Sequence, residues 1–202
     1  MKKLLFLCLA VTSLSSAQYG RRDANRIGIS AGINQIDFFT NDFQLRPASG
    51  WNIGLSLRGN WYNNFDMVYG IQFSENNFYT ETISGGDVKM KLSSAQIFLT
   101  PSYKIIEDHL SIEFGPLIQI NGKLTYENEQ ESEVVSGTDL TIKDFSNVAN
   151  VSIYPVVGIT GGFKQVRLQI TYQYGINNLF AKSDSGGKAN AGILGGNLIF
   201  YF

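Results

Sequence analysis

Thiol chemistry is missing from almost the whole of this chain. Its one cysteine, Cys8, sits in an apolar stretch near the start. Phe6 and Leu7 before it are too bulky for a lipid-attachment motif. Beyond the leader described below, disulfides, thiolate metal sites and cysteine nucleophiles are therefore excluded. Histidine is equally scarce, with His109 alone. No apolar run reaches the ~18 residues of a spanning helix, and mean hydropathy is −0.04. Neither charge dominates: 16 basic face 17 acidic residues, which is no footprint for nucleic acid.

What the chain has instead begins with Lys2 and Lys3, an apolar stretch over 4–14, and Ser15-Ser16-Ala17. A charged start, an apolar core and small residues before a cut form a secretory leader. The expected organisation is a signal peptide over 1–17 and one domain over 18–202, carrying a formal charge of −3 once Lys2 and Lys3 are gone. At the other end Leu198, Phe200 and a terminal Phe202 alternate with Ile199 and Tyr201, resembling the C-terminal signal of bacterial outer-membrane barrels.

Between these ends, eight segments show period-two alternation, the signature of half-buried strands. They cover 26–37, 51–58, 65–74, 95–104, 110–121, 153–163, 166–175 and 194–202. Each carries one row of Ile, Leu, Val, Tyr or Phe and an opposite row richer in Gly, Ser, Gln and charge. Connections at 62–64, 106–109 and 164–165 are short, whereas 38–50, 76–91, 125–150 and 178–188 are long. Short turns at one rim and long loops at the other predict an all-β, eight-stranded antiparallel up-and-down transmembrane barrel, with short periplasmic turns and long extracellular loops. Only a closed sheet pairs every backbone group in hydrocarbon. The apolar row then faces lipid. A register slip would push Arg58 and Arg167 into acyl chains, at roughly 2–4 kcal/mol each near the midplane. Trp61, Phe65, Tyr103, Phe163 and Phe202 fall at the short-turn rim, where an interfacial girdle belongs. Pro101, Pro116 and Pro155 project outward inside strands and predict bulges or local breaks, because proline gives no ladder hydrogen bond.

Candidate chemistry is sparse. His109, beside Glu107 and Asp108, has the makings of a general base. It sits in a tight turn at the rim opposite the outer leaflet, so an exposed turn residue is the expected role. In the longest loop, Glu127, Glu129, Glu131 and Glu133 share one face if extended. That is a perch for divalent cations or cationic partners, or a solvated loop held open by its own charge. The inward row places Arg58, Asp66, Lys104, Glu113 and Arg167 near the short-turn rim. Buried charges are tolerated when paired, so a linked lumen network is expected. It serves as a structural plug or as a pore constriction. No catalytic set and no cofactor or metal site emerges.

Leu99-Thr100-Pro101-Ser102-Tyr103-Lys104, Phe114-Gly115-Pro116-Leu117, Gly158 through Phe163, and Leu168 through Ile176 followed by Asn177-Asn178 resemble the PorT-like outer-membrane β-barrel family. The resemblance spans nearly the whole exported chain. It implies a small barrel in the bacterial outer membrane, whose founding member is implicated in protein secretion, and it assigns no residue a role. The expected function is a non-enzymatic structural or accessory role in the cell envelope of a Gram-negative bacterium. Expected partners are outer-membrane lipids and lipopolysaccharide, the barrel assembly machinery during insertion, and an envelope protein. Rival readings are a narrow small-solute pore, a lipid-modifying enzyme, and a soluble exported barrel binding ligands inside.

Overall fold

A computed structural model describes residues 25–40, 44–126, 131–136, 141–181 and 188–202, without the side chains of 144 and 145. The proposed leader therefore lies outside the described residues. The strands are β1 (Arg26–Phe39), β2 (Leu45–Tyr62), β3 (Phe65–Glu81), β4 (Asp87–Ile106), β5 (Leu110–Thr125), β6 (Val151–Gly162), β7 (Val166–Tyr174) and β8 (Asn190–Tyr201). A one-turn helix, α1 (Ile142–Phe145), lies between β5 and β6. Each strand pairs antiparallel with its chain neighbour, and β8 closes on β1. No described helix is long and apolar enough to cross a membrane.

Residue chemistry explains the ring. β-branched and aromatic side chains alternate with small or polar ones, and a strand sends successive side chains to opposite faces. Outward Ile53, Leu55, Ile71, Ile97, Ile118, Ile170 and Leu198 stay about half exposed. The soluble-barrel rival needs that row inside. Aromatics mark the short-turn rim: Phe65 packs tilted against Tyr103 at 5.1 Å, and Trp61 meets Phe65 edge-on at 6.5 Å. Two turns there use left-handed residues, Asn63 (φ 45) and Asp108 (φ 59), side chains that tolerate αL. Inside, Gly70 is required by close approach. A Cβ there would stand 2.2 Å from the Leu55 carbonyl and 2.8 Å from the Phe98 ring.

Of the two outcomes expected at the prolines, the structure shows local breaks and no bulge. Pro116 lies opposite Pro155 in an unbroken β5–β6 register, and Pro101 opposite Met67 in an unbroken β3–β4 register. The breaks are gaps in pairing. The β4–β5 ladder skips from Phe98↔Leu117 to Ser102↔Glu113 without changing register, and β6–β7 pairing starts only after Pro155. A proline lacks the donor but keeps the extended backbone, so the bond is lost and the register kept. Bulges fall elsewhere, between Ala48 and Trp51 and between Leu92 and Ser94.

The connection expected over 76–91 is mostly strand. β3 and β4 run on as a paired hairpin to a tight turn over 82–86, with Gly85 at φ 83. There the alternation reverses polarity: Val88, Met90 and Leu92 point inward and are fully buried, while Lys89, Lys91 and Ser93 point out. With Ile36, Phe78, Leu124 and Ile193 they form an apolar core inside the loop end of the barrel, closed by Val135, Ile142, Val148, Leu179 and Phe180 from the connections. Past the hydrocarbon the outer face meets headgroups and water, so the apolar side chains move inside.

Candidate functional site

Alternation in β2–β5 and β7 directs Arg58, Asp66, Lys104, Glu113 and Arg167 into the lumen at the short-turn end, and Arg58 is the hub. Its Nε donates to Asp66 Oδ2 (2.8 Å), Nη1 to Glu113 Oε1 (3.3 Å), and Nη2 to Ser102 Oγ (2.8 Å) and Ser111 Oγ (3.2 Å). A planar guanidinium with five donors can span four acceptors in this way, and an ammonium cannot. Lys104 Nζ reaches Asp66 Oδ1 at 3.3 Å. Ser102 and Gln169 donate to the two oxygens of Glu113, at 3.3 and 2.6 Å.

Arg167 stands apart. It is 2 % exposed and donates from Nη2 to Ser111 Oγ (3.3 Å), while its Nε has no partner. No described carboxylate lies within salt-bridge distance, so it joins the layer through Ser111 rather than through Glu113. Three cations against two carboxylates leave the layer with one excess positive charge.

Above the charges runs a chain of amides that sequence reading did not single out. Gln72 donates to Gln96 (3.2 Å), Gln96 to Gln119 (2.7 Å) and Gln119 to Asn121 (2.6 Å), which binds the Ala149 carbonyl and Ser152. Inward parity was the available signal. Which amide meets which depends on the offset between strands. A cavity of ≈ 40 Å³ lies between the charges and the amides, lined in part by Gln72, Glu113, Gln169, Thr171 and Asn197. It has room for a few water molecules and for no larger solute. Leu117, which lines this cavity below Gln119, and Tyr154 opposite it narrow the bore, and the rest of the apolar core fills it higher still.

His109 is exposed in the β4–β5 turn, its Nδ1 3.0 Å from the Glu107 carbonyl and its ring edge-on to Phe163 at 6.1 Å. Asp108 turns instead to Arg26, at 3.0 Å. Partial burial pushes the Asp108 carboxyl up. The hydrogen bond and charge of Arg26, with Lys164 and Arg167 behind, outweigh this and hold it below the usual carboxylate range. Of the four loop glutamates, Glu127 and Glu129 lie outside the described residues. Glu131 pairs with Lys143 (2.8 Å) and Glu133 accepts from Ser84 (2.8 Å). Bonds from Ser84 and Thr82 hold the Glu133 carboxyl low. The two described carboxylates thus take separate protein partners, and no cluster of metal-ligating side chains occurs among the described residues.

The model of the outer membrane protein beta-barrel domain family matches residues 16–181. The chain belongs to that family. Among solved structures this outer-membrane barrel is similar to Neisserial surface protein A, at TM-score 0.56 and 13 % identity, covering 89 % of this chain and 100 % of that one. It is also similar to Ail, the attachment invasion locus protein of Yersinia pestis, solved with the heparin analogue sucrose octasulfate (TM-score 0.51, 13 % identity, covering 88 % and 99 %). A third is OprG of Pseudomonas aeruginosa (TM-score 0.50, 8 % identity, covering 89 % and 97 %). At such identities the likeness is one of fold. No curated protein matches the chain. Family and fold place the barrel in the bacterial outer membrane, with its short turns periplasmic and its longer connections outside.

Proposed function

We propose that this outer-membrane barrel is a non-enzymatic structural or accessory component of the cell envelope, working through its outer rim and lipid-facing wall rather than through its bore. One observation carries the reading: the lumen is filled at three successive heights, by the Arg58 layer, the glutamine chain and the apolar core under the loops. An eight-stranded interior is just wide enough for side chains to fill. The PorT-like motifs support a place among the small barrels linked to protein secretion. Ail is named for attachment, which fits work done at the outer surface. Lipopolysaccharide and an envelope protein are the partners this reading requires, with export on a cleaved leader and insertion by the barrel assembly machinery.

Two measurements test it. Planar-bilayer recordings of the reconstituted barrel are expected to show no stable conductance, and a steady current stopped by blocking the lumen would make it a pore. Photo-cross-linkers at Glu131 and Lys143 in whole cells are expected to capture an envelope partner. Deleting the loop is the wrong experiment, because Val135, Ile142 and Val148 seal the apolar core. A lipid-hydrolysing activity abolished by His109→Ala would establish the enzyme reading instead.

A further inference from the structure

The outer wall changes chemistry at its loop-side edge. On β4 the outward row passes from Ile97 and Ala95 through Ser93 to exposed Lys91 and Lys89. On β5 it passes from Ile120 through Gly122 to exposed Lys123, which takes an outward position because the ladder bulges there. Lys91 lies opposite Thr125, so Lys123 is its diagonal neighbour, about 7–8 Å away. Among the described residues no carboxylate comes within salt-bridge distance of Lys89, Lys91 or Lys123. Asp87 is taken by Arg46, and Glu75 accepts from the Asn77 amide. Like charges across a ladder are unfavourable, and among the described residues no carboxylate lies between these.

Height identifies the missing anion. Two residues of a strand tilted by ~40° climb about 5 Å, so Lys91 stands about 10 Å above Ala95 and Lys123 somewhat less above Ile120. The headgroup layer is about 5–8 Å deep on each side of the hydrocarbon, and lysine stems reach several ångströms to place their charge. Both ammoniums therefore come level with lipid phosphates. Directly below, Ala95 is opposite Phe73 on one side and Ile120 on the other. With Ser93 above it, its methyl between two large side chains leaves a short furrow just below the lysines, which ends at exposed Ile97.

We propose that the β4–β5 wall binds a phosphorylated lipid of the outer leaflet, with its phosphate on Lys91 and Lys123, Lys89 above, and an acyl chain along the furrow at Ala95. This names a partner within the function proposed above and rests on the barrel's lipid-facing orientation.

Native mass spectrometry of the full chain in detergent, titrated with bisphosphorylated lipid A and with its phosphate-free form, tests it. The unmodified barrel is expected to retain the phosphorylated lipid at least tenfold better. A Lys91→Gln/Lys123→Gln variant should lose that margin, and Lys91→Arg/Lys123→Arg should keep it. Lys164→Gln at the opposite rim should also keep it. Equal retention of both lipids, or an undiminished margin in the double glutamine variant, overturns the proposal. The substituted side chains are exposed, and heat-dependent gel mobility confirms that each variant is folded. Failure of the membrane reading would look different: a monodisperse protein without detergent.

Discussion

Arg58 concentrates the barrel's polar chemistry in one side chain. Its four acceptors come from β3, β4 and β5, so a single guanidinium ties together strands far apart in sequence. Removing one partner of a buried pair strands the other, at about 3–5 kcal/mol. Glu113→Gln is expected to approach that range in urea unfolding of the detergent-folded barrel. Glu131→Gln, whose pair with Lys143 is solvent-exposed, should change stability by less than about 1 kcal/mol. Equal effects would show that the lumen layer is held by something other than charge. The Arg26–Asp108 pair is partly exposed and worth little more than a surface ion pair, but it carries a distinct pH signature. The folded Asp108 carboxyl is held low. Its contribution is therefore complete above the unfolded carboxylate pKa and is lost as the pH falls through the lowered folded value. Asp108→Asn keeps a residue that tolerates φ 59 and removes only the charge. Melting curves should show the variant slightly less stable at pH 7, with the difference shrinking as the pH is lowered below the ordinary carboxylate range.

Among the elements, the β3–β4 hairpin shows how one strand pattern serves two surroundings. Up to Ala95 the apolar row faces lipid. Past Ser93 the parity of outward positions continues, but the apolar row is the inward one. Reading 76–91 as loop missed this, because Lys89 and Lys91 look like loop residues until Val88, Met90 and Leu92 are set between them. Phe78 sits in the resulting core, fully buried and edge-on to Phe38 at 4.8 Å. Phe78→Ala is expected to cost about 3–5 kcal/mol and to open the hairpin to proteases. Membrane insertion should survive, since the lipid-facing band is untouched. Loss of insertion as well would mean that the cap and the band fold as one unit.

At the scale of the whole molecule, the apolar row faces outward and the described side chains fill the bore. The half-exposed outward side chains require detergent or lipid, and closure of β8 on β1 removes every edge. Folded protein is expected to run anomalously on unheated gels and to shift on boiling. A water-soluble monomer with no heat-dependent shift would contradict the wall's orientation. Eight strands, their order, the outward row and the rim aromatics were all legible in the chain, because side-chain alternation is a local property that needs no knowledge of neighbours. The inward position of Arg58, Asp66, Lys104, Glu113 and Arg167 was legible for the same reason. What only the tertiary structure decided is who meets whom. Glu113 faces Arg58 rather than Arg167, Ser111 bridges the two guanidiniums, and Gln96 reaches Gln119. These meetings depend on the stagger between strands and on the bulges that adjust it. Stagger is fixed by closing the whole ring, and no single strand carries it in its sequence.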